Sequence, residues 1–118
     1  MTVKEINFAF EMIAAIAAAC PEGYTVDRKK FEPIKSGYAV AVEGTQESFG
    51  NKGLAHVIKY MDQHPEVPAF GGWYRKDTKE FYFDATMIFE DESEAREFAI
   101  LNKQLEYCNL TTGECIPV

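Results

Sequence analysis

The sequence predicts an α+β fold, and three observations carry the prediction. The stretch Ala69–Phe89 sets two aromatic-rich runs on either side of a polar tetrad, Lys76-Asp77-Thr78-Lys79. Aromatic and β-branched residues fit a pleated, half-buried surface, and such runs around a polar turn read as a β-hairpin. A helical pattern stands on each side of that hairpin. Leu54, Val57, Ile58 and Met61 fall at i, i+3, i+4 and i+7, and Ala95, Phe98 and Ala99 follow an aspartate cap at Asp91.

The elements follow in chain order. Thr2-Val3-Lys4-Glu5 is a capping box, so a helix is expected from Val3 to Ala19, stopped by Pro21 and Gly23. Its stripe of Ile6, Phe10, Ile13 and Ala17 is widened by Phe8, Met12 and Ile16. A helix apolar on most of its circumference is buried deeply or buried against a second molecule. Tyr24-Thr25-Val26 has the makings of a short strand, and the basic triplet Arg28-Lys29-Lys30 reads as a solvated loop. Tyr38–Glu43 is nearly all apolar and reads as a central strand. Gly44–Gly53 is a glycine-rich loop, and the following helix stops before Pro65 and Pro68.

In the second hairpin strand, Phe81, Phe83, Ala85, Met87 and Phe89 form the expected core face, because the alternate set would bury Asp84. Asp91, with Glu94 three residues on, opens a third helix that should end near Gln104. Leu105–Leu110 is the last core strand. Thr111-Thr112-Gly113 makes a turn, and Cys115–Val118 returns as an edge strand, where Pro117 is tolerated.

The resulting order is strand, helix, strand, strand, helix, strand: a four-stranded, mainly antiparallel sheet of ferredoxin-like β-α-β-β-α-β order. The chain thus reads as a single domain over residues 1–118. An N-terminal helix covers residues 3–20, the α+β core residues 37–110 and a C-terminal hairpin residues 105–118. The two core helices cover one sheet face. The long N-terminal helix is the natural cover for the other, unless it covers a second subunit.

Composition narrows the functional classes. Nineteen acidic against twelve basic side chains give a formal charge of −7. Nucleic-acid affinity is mostly phosphate neutralisation, so nucleic acid and anionic membranes are disfavoured, and a partner with a basic surface is favoured. The Phe8–Cys20 run is too short to span a bilayer. Lys4 is offset by Glu5 and Glu11 interrupts the run, which is unlike a secretory signal. Cys20, Cys108 and Cys115 form neither a disulfide framework nor a zinc pattern, and a cytoplasmic, reducing setting is the simpler reading. Cys108 and Cys115 flank a tight turn, and register decides whether they meet.

No catalytic residue, metal site or cofactor is indicated. There is no G-x-S-x-G, no phosphate-binding glycine loop and no metal spacing for His56 and His64. The candidate partner-binding residues are Trp73, Tyr74 and Tyr82 on the hairpin, with the acidic run Glu90, Asp91, Glu92 and Glu94. Tryptophan and tyrosine anchor interfaces, although acids at a helix start also serve the helix dipole. An alternative site is a sheet-face pocket using Asp84, Tyr82 and His56 for a small ligand or for catalysis. A further alternative is a single-strand nucleic-acid platform of Phe81 and Phe83, weakened by Glu80 and Asp84 in the strand.

The segments SGYAVAVEGTQESFG, GGWYRKDTKEFYFDATMIFED and EAREFAILNKQ resemble small uncharacterised proteins carried by bacteriophages and conjugative elements. The resemblance covers Gly37 to Leu110 and implies a mobile-element, cytoplasmic setting and no particular activity. The expectation from the residues is a non-enzymatic interaction protein, an accessory or inhibitor, with homodimerisation open.

Overall fold

A computed structural model describes residues 1–118. The elements are α1 (Val3–Ala19), β1 (Tyr24–Asp27), β2 (Tyr38–Ala41), a 3-10 turn (Glu43–Thr45), α2 (Gly50–Gln63), β3 (Ala69–Arg75), β4 (Glu80–Phe89), α3 (Glu92–Leu101), β5 (Glu106–Asn109) and β6 (Cys115–Pro117). All six strands join one antiparallel sheet in the order β1-β3-β4-β2-β5-β6. The expected four-stranded sheet is therefore corrected to six strands. β1 adds beyond β3 and β6 beyond β5, because each short flanking run finds an unpaired edge beside it.

Register assigns every side chain to a face. Val26 opposes Phe70, Phe70 opposes Ala85, and Val40 opposes Met87. These residues, with Phe83 and Tyr107, face the helices. The odd-numbered set of β4 thus points inward, as its alternation predicts. The larger cluster joins Leu54, Val57, Ile58 and Met61 of α2 to Phe70, Phe83 and Ala85. The smaller cluster joins Ala95 and Ala99 of α3 to Val40 and Tyr107.

α1 does not cover the second sheet face. Ala9, Ile13 and Ala17 pack into the same cluster as α2, so all three helices share one side of the sheet. The spacing i, i+4, i+8 of two alanines around Ile13 lets α1 approach α2 closely, burying one stripe and leaving Phe8 exposed against Phe31. The capping box of Thr2 and Glu5 forms as the sequence predicts. No helix is long and apolar enough to cross a membrane.

Arg28 corrects the solvated-loop reading of the basic triplet. Its guanidinium donates to the carbonyls of Met61, His64 and Val67 at 2.8, 3.0 and 2.8 Å. The last carbonyls of a helix have no partner within it, and a cation there also meets the negative end of the dipole. Arg28 therefore closes the end of α2 and ties β1 to it. The α2 start is equally constrained: a β-carbon at Gly53 would stand 2.3 Å from the Ser48 carbonyl carbon.

Candidate functional site

The sheet face turned away from the helices carries the candidate site. Trp73 of β3 and Tyr82 of β4 are directly opposed there, with ring centroids 6.0 Å apart and planes inclined by 29°. Phe49 adds a third ring 5.5 Å from Tyr82. The Arg75 guanidinium lies 5.8 Å from the centre of the Tyr82 ring and pairs with Asp77 at 2.8 Å. Trp73 and Phe49 remain 46% and 44% exposed, although burial of aromatic carbon is favourable. The result is a row of three rings across three adjacent backbone segments.

Phe49 could not be found from the sequence, since it sits in the glycine-rich loop. Its position follows from strand lengths. β4 outruns β2, and the loop after β2 covers the surplus edge: Val42 N–H donates to Ala85 O at 2.9 Å and Phe83 N–H to Ser48 O at 2.8 Å. The Ala85 N–H donates to the buried Thr45 hydroxyl at 3.0 Å. Satisfying those edge groups carries Phe49 opposite Tyr82.

The other predicted partner-binding residues stand elsewhere. Tyr74 opposes Phe81 on the helix side of the hairpin, 38% exposed, and does not join the row. Glu90, Asp91, Glu92 and Glu94 lie past the far end of β4. Eight residues of extended chain separate Tyr82 from Glu90, about 26 Å at ~3.3 Å each. Two of these acids have structural work. The Asp91 carboxylate accepts from the Ser93 hydroxyl and amide at 2.8 and 2.9 Å, which holds its pKa below the usual range. Glu92 accepts from the Tyr107 hydroxyl at 3.0 Å. The hairpin rings and the acidic run are therefore separate surfaces.

Asp84, Tyr82 and His56 do not converge. Tyr82 and Asp84 share the open face two residues apart, whereas His56 projects from α2 on the helix side and meets the Ser48 hydroxyl at 3.3 Å. Asp84 is nonetheless unusual. Burial raises its pKa from 3.8 to about 6, and a hydrogen bond from the Thr86 hydroxyl acts in the opposite direction. Its setting is tight because a β-carbon at Gly71 would stand 2.6 Å from both the Asp84 and Thr86 oxygens. The strand alternation puts Asp84 at the sheet surface. It is instead partly shielded on the open face. Phe81 and Phe83 point to the helix side, with Phe83 7% exposed in the core, so neither presents a ring for base stacking.

A groove of about 500 Å³ adjoins Phe49 at the start of α2, lined among others by Glu47, Lys52, His56 and Glu80. The Phe49 cap residue makes no side-chain bond to the helix, and the Glu80 carboxylate stands near Gly50 instead. A carboxylate at a helix start is favoured by the dipole. No group of three or more His, Cys, Asp or Glu side chains is arranged to hold a metal ion. Cys108 and Cys115 are bonded to each other, and Cys20 is free. The register of β5 and β6, which the sequence leaves open, brings that pair together.

Fold and site together define a small α+β domain with an aromatic surface on its open sheet face. Comparisons with protein-family models, with curated proteins and with solved structures each find no match.

Proposed function

We propose that this chain is a non-enzymatic interaction domain that binds a protein partner through the row Phe49, Tyr82 and Trp73. The observation that carries the reading is the exposure of Trp73 and Phe49 in one contiguous aromatic surface. Rigid aromatic side chains bring large contact area at low entropic cost and dominate interface energies. In our reading the middle strands β3-β4-β2-β5, with α2 and α3, form a ferredoxin-like core that holds these rings. The charge of −7 favours a basic partner surface and a salt-sensitive approach. The acidic run Glu90–Glu94 then steers the approach from a distance. An accessory or inhibitor role in a mobile element is the setting this reading fits.

The test is a comparison of variants. A partner captured by the wild-type chain should be lost or weakened by about ten- to a thousandfold in Trp73→Ala and Tyr82→Ala. Neutralising Glu90, Glu92 and Glu94 to glutamine should slow association and flatten its salt dependence. Undiminished affinity in both ring variants refutes the reading. Sedimentation at two concentrations separates a heterologous partner from a second copy of the chain.

A further inference from the structure

We infer that Cys108–Cys115 is a thiol–disulfide exchange site that controls whether β6 stays docked on the sheet. β6 is the outermost strand, three residues long, and it pairs with β5 alone. Cys108 and Cys115 are directly opposed and covalently joined across that pair. Beyond the ladder pairing of Tyr107 with Ile116, two backbone bonds close its ends. Val118 N–H donates to Leu105 O at 3.0 Å and Asn109 N–H to Glu114 O at 2.8 Å. Ile116 is its one side chain packed against the smaller core cluster. A three-residue edge strand paired on one side only, with one side chain in the core, belongs to the low-stability end of the fold.

The sulfurs are reachable. Cys108 opposes Ala39, so both cysteines lie on the sheet face that carries no helix. Cys115 is exposed and Cys108 half-buried, so an incoming thiolate meets Cys115 first. The chemistry balances with a dithiol reductant. Its thiolate attacks Cys115 Sγ, the disulfide breaks, and Cys108 leaves as thiolate and takes up a proton. The second thiol of the reductant then closes on the mixed disulfide, releasing Cys115 as a thiol and the reductant as its cyclic disulfide. Two electrons pass from reductant to protein.

Reduction opens a loop spanning a sequence separation of 7 residues. By chain entropy the ratio of docked to detached β6 falls by about 50-fold. Detachment uncovers Tyr107, which is 4% exposed, opposes Ile116 and donates its hydroxyl to Glu92 at the start of α3. The switch thus reaches a helix as well as an edge strand.

The test uses the intact, oxidised chain treated with dithiothreitol, with mass spectrometry confirming the gain of two hydrogens. Hydrogen exchange read at single amides should accelerate by about 50-fold at Asn109 and Val118, while Val57 and Phe83 keep their protection. The Cys108→Ser/Cys115→Ser double variant should reproduce this without reductant, and Cys20→Ser should leave the response intact. Complete reduction with Asn109 and Val118 still protected overturns the inference. So does a bond that yields to dithiothreitol only in denaturant. Loss of protection throughout the chain, on reduction or in the double variant, overturns it too, because the bond is then a global staple.

Discussion

Replacing Asp84 with asparagine tests the physical account of the open sheet face. The substitution keeps the shape and an oxygen for the Thr86 hydroxyl, and it removes the charge. Burial raises the Asp84 pKa from 3.8 to about 6. The folded state therefore binds this proton more tightly than the unfolded chain does. Stability is lost as pH rises through that interval, and the deficit is complete above about pH 6. At about 1.36 kcal/mol for each pH unit between the two values, the ceiling on this deficit is about 3 kcal/mol. The carboxylate keeps some contact with water, and a partly buried amide carries its own desolvation cost, which leaves an expected gain of about 1–2 kcal/mol near pH 7. That gain corresponds to about 4–8 °C in melting temperature. The gap between variant and wild type should narrow as pH falls below about 6 and lose its pH-dependent part near pH 3. Denaturant unfolding at these three pH values is the assay. A variant no more stable than wild type near pH 7, or a gap that ignores pH, refutes the reasoning.

Two further outcomes follow from named contacts. Arg28→Ala should cost about 2–3 kcal/mol in denaturant unfolding, since it removes charged hydrogen bonds to three carbonyls, with Arg28→Lys intermediate because one ammonium cannot reproduce the fork. Gly53→Ala should cost more than about 3 kcal/mol or prevent folding, because the new methyl meets Ser48 backbone at 2.3 Å and backbone cannot step aside. Calorimetry of the three variants against wild type ranks these effects.

Several features were legible because their signals are local. The Thr2–Glu5 capping box marked the start of α1, and the β3–β4 hairpin around Lys76–Lys79 was plain from its flanking aromatics. The alternation in β4 identified its inward face, since burying Asp84 beneath the helices would have cost far more than exposing Tyr82. The i, i+3, i+4 pattern marked α2, although the helix begins at Gly50, before the first apolar residue. The acidic run was visible, but its remoteness from Trp73 was not, because sequence carries no distance between the two ends of a strand.

The sequence by itself determined the class of fold, the core faces of α2 and β4 and the aromatic hairpin, all of which depend on periodicities of two and 3.6 residues. Tertiary structure alone decided that α1 joins α2 on one side, that β1 extends the sheet beyond β3, and that Arg28 closes α2. It also decided that Phe49 completes the row of rings and that Cys108 meets Cys115. Each of these depends on which unpaired backbone edge or helix end lies nearest in space. That choice is made between segments far apart in the chain, by burial and hydrogen-bond satisfaction together.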